Sequence, residues 1–280
     1  MKPLLAFYYP WYKQMNIWEG LKDTPDPLYL SNDPKAIERH IRQAKAAGIT
    51  AFCCSWWGQN DWRGTDACLE LMYQAAEKDG EFQLCPYFEL LDDSGNPLGA
   101  REIFKRLRYL IDKYGDHPAT FKMRDKILIP IWQSQQVPLE AWIKIFDKLD
   151  KQGFHATYLS MGGARDLAVF DGIYRYTPPD YPTFCAQYKT LSKVAKKHGK
   201  IWAATVMPGF WKEGVPEATK DRDNGEFYKS TWMFAAESEP DLIIITSWNE
   251  FPEGTHIELS VQYGNSYLMT TKNYAEKWRK

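Results

Sequence analysis

The chain has 280 residues, and its 35 Lys and Arg nearly balance its 36 Asp and Glu, which leaves a net charge of −1. This balance and the absence of a long basic run disfavour nucleic acid as a partner. No segment approaches the roughly 18 consecutive apolar residues of a membrane span, and the first residues lack the long apolar region of a signal peptide, so we expect a cytoplasmic protein unless a leader has been trimmed.

Short apolar segments alternate with longer helical patterns along the whole chain. The predicted strands are Leu4–Tyr9, Thr50–Ser55, Gln83–Phe88, Ile127–Trp132, Ala156–Ser160, Gly172–Tyr176, Ile201–Met207 and Leu242–Ser247. The predicted helices are Pro34–Ala47, Ala67–Lys78, Ala100–Tyr114, Leu139–Gln152, a short one around Asp166–Phe170, Pro182–Lys197, Glu226–Ser238 and Tyr263–Lys280.

Strands that read as apolar runs are typical of a parallel sheet covered on both faces. Eight such strand and helix units, with no linker or low-complexity stretch between them, predict an α/β fold, a single (β/α)8 TIM barrel over residues 1-280. An open doubly wound sheet is the alternative. Its dinucleotide-binding form is disfavoured because no GxGxxG segment follows the first predicted strand.

The cysteines are odd in number, and three of them fall in predicted buried strands, so we predict no disulfide framework. The five are Cys53, Cys54, Cys68, Cys85 and Cys185. No CxxC or HExxH spacing occurs, so the sequence gives no signal for a metal site.

Aromatic residues make up 15% of the chain, and they recur where the predicted strands end. In a parallel barrel these ends meet at one rim, which carries the chemistry. A single ring there could equally cap the core, but aromatic or amide side chains at seven of the eight strand ends favour a cleft for sugar rings. The aromatic residues predicted to line it are Tyr9, Trp11, Trp56, Trp57, Tyr87, Trp132, Trp211 and Trp248.

Two carboxylates three residues apart, Glu250 and Glu253, follow the last predicted strand directly. Glycoside hydrolysis uses one protonated and one ionised carboxyl group, and their separation decides between inversion and retention. Asn249 is predicted to hold a sugar hydroxyl or a carboxylate, and Gly254 allows a sharp turn after the pair. The alternative is that both glutamates are solvated loop residues.

His256 and Glu258 follow in the same segment. His256 is expected either to bond a sugar hydroxyl or to orient Glu258 or Glu253. We assign Glu258 to the start of the last helix, where the helix dipole favours a negative charge.

These segments resemble those of glycoside hydrolase family 99, the endo-α-mannosidases and endo-α-mannanases, and the related WbsX-like polysaccharide biosynthesis proteins. Tyr8-Tyr-Pro-Trp-Tyr12 is similar to the family's first-strand motif, and Trp248-Asn-Glu-Phe-Pro-Glu-Gly-Thr-His-Ile-Glu258 to its last and most specific one. Further matches are Pro208-Gly-Phe and Arg222 followed by Gly225 and Tyr228.

The resemblance implies a retaining mechanism without a glycosyl-enzyme ester. Glu250 would act as general base on the sugar's own 2-hydroxyl to give an epoxide-like intermediate. Glu253 would act as general acid to the leaving group and then as base for water. Arg222 would belong to the substrate-binding residues, and neither a metal nor an organic cofactor would be required.

Two departures from the family pattern concern the substrate. The family's third-strand motif is Phe-His-Ile-Glu-Pro-Tyr, whereas this chain has Phe82-Gln-Leu-Cys-Pro-Tyr87, so Cys85 replaces a sugar-binding carboxylate. Glu89, or Asp92 in the following loop, is the candidate substitute. Phe251 and Pro252 stand where the family has Trp and His between the glutamates, so mannose specificity is not carried over.

The sequence therefore predicts a glycoside hydrolase that cleaves an α-linked oligosaccharide or polysaccharide, with α-mannosides and endo action as the more specific hypothesis. One alternative is a glycosyltransferase or polysaccharide biosynthesis protein of the WbsX-like type. The other is a glycan-binding barrel without activity, which would have no use for a separate acid and base.

Overall fold

A computed structural model describes residues 1–176, 183–214 and 216–280, with the backbone alone for residues 183–185 and 217. The described residues form a closed barrel of eight parallel strands surrounded by helices. These strands are β1 (Leu4–Tyr8), β2 (Ala51–Trp56), β3 (Gln83–Phe88), β4 (Lys126–Ile131), β5 (Ala156–Ser160), β6 (Gly172–Tyr174), β7 (Ile201–Val206) and β8 (Leu242–Ile245).

The strands pair in chain order, and two contacts close the sheet on itself. Leu5 in β1 pairs with Ile244 in β8, and Phe88 in β3 pairs with Ile131 in β4. A two-residue strand, Lys122–Met123, adds antiparallel to the start of β4. The predicted (β/α)8 barrel is confirmed, and the open doubly wound sheet is excluded because such a sheet has free edges.

The helices lie outside the barrel, close to the predicted bounds. In the described residues they are α1 (Pro34–Ala46), α2 (Thr65–Asp79), α3 (Ala100–Tyr114), α4 (Leu139–Asp150), α5 (Thr183–Lys197), α6 (Glu226–Glu237) and α7 (Ser266–Arg279). A 3₁₀ turn, Ala164–Ala168, takes the place of the short helix predicted in the fifth unit. Pro182, the predicted first residue of the α5 helix, lies outside the described residues.

Local sequence accounts for several of the helix bounds. Asp33 caps α1 by accepting a hydrogen bond from the Lys35 N–H at 2.9 Å, and Pro34 occupies the first helical position, where no N–H is needed. Gly80 ends α2 in the left-handed conformation, with φ of 79°.

Alternate side chains of each strand enter two different parts of the core. Phe7 in β1 and Cys53 in β2 point into the barrel, whereas Tyr8 and Cys54 point outward against the helices. This alternation follows from the period of two in a β-strand. The described cysteine thiols are free and buried, and the Cys185 side chain lies outside the described residues.

Candidate active site

A cavity of about 810 Å³ opens at the carboxyl ends of the barrel strands. It is lined by both polar and aromatic side chains, which come from the segments that follow all eight strands. The lining residues are Tyr9, Trp11, Trp57, Glu89, Trp132, Gln133, Gln135, Met161, Gly162, Gly163, Arg175, Tyr176, Phe210, Lys212, Glu250 and Glu253. Its volume and its position at this rim are those of a small-molecule site in this fold.

Glu250 is a buried carboxyl group of the cavity. Its N–H donates to Ser247 Oγ at 2.8 Å, and its Oε2 accepts a short hydrogen bond from the Tyr176 hydroxyl. The Tyr176 hydroxyl also contacts the hydroxyl of Tyr9 at 2.5 Å. Burial and the nearby Glu253 carboxylate raise the pKa of Glu250 well above its usual range, and the Tyr176 hydrogen bond opposes that rise. Glu250 therefore holds a proton more readily than an ordinary glutamate.

Glu253 lies three residues further on, in a different environment. Its Oε1 forms an ion pair with Lys212 Nζ at 2.8 Å, and its side chain is 18% exposed. The hydrogen bond and charge of Glu253 raise the pKa of Lys212, so this lysine stays charged beside it. Gly254 follows in the left-handed conformation with φ of 60°, as predicted for the turn after the pair. One carboxyl group of the pair is thus enclosed, and the other is partly exposed and paired with a cation.

Glu89 is a third carboxyl group in the cavity, and it follows β3. Its Oε1 accepts a hydrogen bond from Ser55 Oγ at 2.7 Å, and Ser55 also accepts one from the Trp57 indole at 3.1 Å. Burial raises the pKa of Glu89 to about 8, against the lowering effects of Ser55 and Arg63. At neutral pH Glu89 is therefore mostly protonated and can donate a hydrogen bond.

Cys85 and Asp92, the other two candidate positions of this segment, do not reach the cavity. Cys85 is fully buried inside the barrel, with its Sγ 3.2 Å from Cys53 Sγ. Asp92 accepts hydrogen bonds from the N–H groups of Ser94 and Asn96 in its own exposed turn. Glu89 is thus the carboxyl group of this segment that the structure places in the cavity.

Asn249 faces away from the cavity and fixes the loop that carries both glutamates. Its Oδ1 accepts from the Tyr9 N–H at 2.7 Å, and its Nδ2 donates to the Tyr9 carbonyl at 3.1 Å and to the Tyr29 hydroxyl at 3.0 Å. Its own carbonyl accepts from the Tyr12 hydroxyl at 2.5 Å. With its side chain fully engaged, Asn249 positions Glu250 and is not placed to bind a sugar hydroxyl or a carboxylate.

His256 is also turned away from the cavity, and its partner differs from both expected ones. Its Nε2 lies 2.9 Å from Asp23 Oδ2, and its ring stacks on Phe251 at 4.0 Å. Burial lowers the pKa of His256 to about 4, and hydrogen bonds from surrounding groups lower the pKa of Asp23 to about 2 despite its burial. The expectation that His256 orients Glu258 or Glu253 is wrong, because Asp23 occupies that position.

Arg222 and Trp211 lie with His256 around a second, smaller cavity of about 210 Å³ behind the loop. Arg222 donates from Nη2 to the carbonyls of Gly254 at 2.9 Å and His256 at 2.8 Å, which fixes the turn after Glu253. Trp211 holds the same turn through its N–H, which donates to the Glu253 carbonyl at 2.8 Å. Both residues support the loop from outside the main cavity, contrary to their predicted place in the cleft.

Glu258 is another residue for which the sequence-based assignment is wrong. Helix α7 begins at Ser266, so Glu258 is not at a helix N-terminus. It is buried, with its Oε2 accepting from the Tyr29 hydroxyl at 2.9 Å and its Oε1 lying 2.8 Å from His40 Nε2.

Three of the predicted cleft aromatics are fully buried. Trp56 and Trp248 point outward from the barrel toward the helices, where Trp56 donates to Asp66 at 2.7 Å and Trp248 packs on Phe52. Tyr87 points into the barrel, 4.4 Å from the Phe7 ring, below the cavity. The expectation that these rings line the cleft is therefore corrected; for Trp56, the last residue of β2, the strand period of two places its neighbours, not Trp56 itself, on the inner face.

The structure brings seven predicted site residues together around the cavity: Tyr9, Trp11, Trp57, Glu89, Trp132, Glu250 and Glu253. Sequence reasoning left out Tyr176 and Lys212, which contact the two glutamates directly. Tyr176 was recognisable as an aromatic residue at the end of the sixth predicted strand. Lys212 carried no such signal, because its contact with Glu253 depends on how two distant loops meet.

Two classes of site lack support in the part of the chain that the structure describes. In residues 1–176, 183–214 and 216–280, no group of three or more His, Cys, Asp or Glu is arranged to hold a metal ion. Within the same ranges no helix has the length and apolarity needed to cross a bilayer.

Comparison with known proteins gives matches over almost the whole chain. The model of glycosyl hydrolase family 99 matches residues 26–278. Glycoprotein endo-alpha-1,2-mannosidase from Rattus norvegicus is 24% identical, and the match covers 98% of this chain and 74% of that protein. A glycoprotein endo-alpha-1,2-mannosidase-like protein from Danio rerio is 26% identical, with 90% of this chain and 65% of that protein covered.

A solved structure is similar over the full length. It is the GH99 endo-alpha-mannosidase from Bacteroides thetaiotaomicron in complex with BIS-TRIS-Propane, with a TM-score of 0.87 and 26% sequence identity, and the match covers 100% of this chain and 98% of that one. Its fold agrees with the barrel described above. Since the family model matches most of the sequence, this chain belongs to glycosyl hydrolase family 99 and is a glycoside hydrolase.

Proposed function

We propose that the protein cleaves α-mannosides within a glycan chain and does so with retention, with Glu250 as general base and Glu253 as general acid and base. The observation that carries this proposal is the pair itself, two carboxyl groups of one loop lining one cavity in unlike environments. Unlike environments let one carboxyl group hold a proton while the other is ionised. The names of the similar proteins from rat and Bacteroides thetaiotaomicron support the α-mannoside as the substrate.

The reaction has two steps. In the first, Glu250 removes the proton of the sugar's 2-hydroxyl, the 2-oxygen attacks the anomeric carbon, and the bond to the leaving oxygen breaks as Glu253 protonates it. In the second, Glu253 removes a proton from water, which attacks the anomeric carbon and opens the three-membered ring, and Glu250 returns its proton to the 2-oxygen. Two inversions at the same carbon give net retention.

These roles require the proton of the pair to be on Glu253 when the substrate is bound. In the free protein, burial favours a protonated Glu250, and Lys212 pairs with the Glu253 carboxylate. The Lys212 side chain is half exposed, so we propose that the leaving group displaces it and that the proton then moves to Glu253. Tyr176 supports the ionised form of Glu250 by donating to it.

The aromatic rings of the cavity suit a sugar chain. Trp11 stacks on Tyr9 with ring centroids 4.5 Å apart, and Trp57 and Trp132 line the same space. Aromatic faces bury the apolar faces of pyranose rings, while the carboxyl groups and amides between them accept or donate to hydroxyls.

The test is hydrolysis of α-linked manno-oligosaccharides, with the anomeric form of the first product followed by NMR. We expect the α-anomer to form first. Glu253→Gln should lose activity on a natural leaving group and keep a larger share on an activated aryl glycoside, which needs no acid; Glu250→Gln should lose both. Asp92→Asn, at the exposed turn after β3, is the matched carboxyl control.

Two results would overturn the proposal. A first product of β configuration would exclude retention. Activity that depends strictly on a nucleotide-activated or lipid-linked sugar donor, with no hydrolysis of oligosaccharides, would identify a transferase.

A further inference from the structure

Trp62 is an exposed tryptophan beside the active-site cavity that the proposed mechanism does not use. It lies in the loop between β2 and α2, and it is 64% exposed. An exposed indole costs hydrophobic free energy that burial would recover. A single exposed apolar residue is common and by itself indicates no function. What distinguishes Trp62 is the hydrogen bonding of its loop and its contact with Arg63.

The backbone that carries Trp62 is held by several hydrogen bonds although the ring itself is not buried. Asp61 accepts three hydrogen bonds, from the N–H of Arg63 at 2.9 Å, the N–H of Thr65 at 2.9 Å and the Thr65 hydroxyl at 2.8 Å. Lys13, from the loop after β1, donates to the Trp62 carbonyl at 2.9 Å. The backbone around the exposed ring is therefore fixed by both neighbouring loops, and a ligand would find it pre-organised.

Arg63 connects this ring to the cavity. Its guanidinium lies 3.7 Å from the centroid of the Trp57 ring and 4.5 Å from that of the Trp62 ring, and Trp57 lines the cavity. The Arg63 side chain is only 14% exposed, and its Nη1 donates to Asp93 Oδ1 at 3.1 Å, which balances its charge. Trp57, Arg63 and Trp62 thus form a continuous row from the cavity to the surface.

We propose that Trp62 is an outer sugar-binding subsite, which stacks on a neutral pyranose ring of a glycan chain whose cleaved part lies in the cavity. The class of ligand follows from the row: a flat apolar face suits the apolar face of a sugar, and an arginine already paired with Asp93 gives no free charge for an anionic one. Gln59 and Asn60, exposed in the same loop, can bond ring hydroxyls. This inference rests on the proposed function because it takes the cavity to bind glycan.

The test compares Trp62→Ala with Trp62→Phe on α-linked manno-oligosaccharides of two to six residues. For Trp62→Ala we expect kcat/KM on the longest substrates to fall about five- to tenfold, the size of one aromatic contact, and kcat/KM on the shortest to stay unchanged. Trp62→Phe should keep part of the increase in kcat/KM with oligosaccharide length. Ile143→Ala removes an exposed apolar side chain of α4 and is the matched control.

Binding to the inactive Glu253→Gln protein separates this inference from the proposed reaction. In the double variant Glu253→Gln with Trp62→Ala, calorimetry should show a higher Kd for the hexasaccharide and an unchanged Kd for the disaccharide. This result is expected even if the wild-type protein hydrolyses neither. A loss equal at all lengths, no loss at all, or no binding of any oligosaccharide would overturn the subsite. Failure of hydrolysis with a length-dependent effect on binding would overturn the proposed reaction alone.

Discussion

The loop after β8 has two sides that differ in how far their polar groups are satisfied. On the side turned away from the cavity, Asn249 bonds Tyr9 through both its amide atoms, and His256 pairs with Asp23. On the cavity side, Glu250 and Glu253 have few protein partners, and burial keeps the pKa of Glu250 well above its usual range. Both sides come from one short motif.

The residues on one side of the loop fix its conformation, and those on the other side are the groups proposed to react. Buried polar groups with complete sets of partners lower the energy of the folded state and fix one conformation. Carboxyl groups held in an unfavourable protonation state raise that energy, and they are retained where a reaction needs them. The motif therefore builds a rigid frame on one side and places reactive groups on the other.

The largest expected effect comes from removing a carboxyl group on the cavity side. Glu250→Gln and Glu253→Gln should each lower kcat/KM on an unactivated glycoside by roughly 100- to 10,000-fold, the contribution of general acid–base catalysis. The free energy of unfolding should not fall. At position 250 the neutral amide replaces a carboxyl group that is costly to bury, and at position 253 it replaces one that is partly exposed. Steady-state kinetics and denaturant unfolding of the same samples check this, and a strong loss of stability would show that the two sides are not distinct.

On the side turned away from the cavity, a substitution should lower stability more than it affects the chemistry directly. Asn249→Ala leaves the buried Tyr9 N–H and carbonyl and the Tyr29 hydroxyl without this partner, so it should lower the free energy of unfolding by roughly 3 kcal/mol. Activity should fall only as far as the loop that carries Glu250 moves. Denaturant unfolding measures the loss, with Asn60→Ala, an exposed asparagine, as control. A change within 0.5 kcal/mol, the usual range for surface substitutions, would contradict the structural role.

The sequence predicted the barrel well because the information was local and repeated. Apolar strands such as Leu242–Ile245 read as buried from composition alone, and eight repeats of the pattern leave few alternatives. Glu250 was equally readable, since a residue in the segment after such a strand lies at the rim. These predictions needed no knowledge of distant contacts.

The remaining errors came from side-chain direction and from partners far along the chain. Trp56 and Trp57 look alike in sequence, yet the strand period sends one against the helices and the other into the cavity. His256 finds its partner in Asp23, more than two hundred positions away. Nothing local to His256 identifies that partner, so its role could not be read from the motif.

A pH-dependent measurement extends the comparison to Glu89, a buried acid on the cavity side. Its pKa is about 8 in the folded protein and 4.5 as the ordinary value, so the folded state binds more protons between these pH values and stability falls as pH rises through them. Glu89→Gln keeps the neutral form at all pH values. It should be more stable than wild type at pH 7, by about 3 kcal/mol, and the two proteins should converge below pH 4.5.

Unfolding curves between pH 4 and 9 test that sign. A wild-type stability that rises with pH relative to Glu89→Gln would show that Glu89 is stabilised as an anion. Asp92→Asn, on the exposed turn, should follow the wild-type slope across this window and serves as the matched control.

The smallest expected effect concerns Tyr176, whose hydroxyl contacts both Glu250 and the Tyr9 hydroxyl in the cavity. It donates to Glu250 and lowers the pKa of that group against the effect of burial, so Tyr176→Phe should raise this pKa further. Since the base must be ionised, the acidic limb of the kcat/KM profile should move to higher pH, and kcat/KM at neutral pH should fall about tenfold, the loss of one hydrogen bond to a charged group. Tyr9→Phe removes a hydroxyl that contacts Tyr176 but not Glu250, and it should shift the limb less. An equal loss at every pH would mean that Tyr176 only shapes the cavity, whereas a shifted limb would show that its hydroxyl sets the protonation of the base.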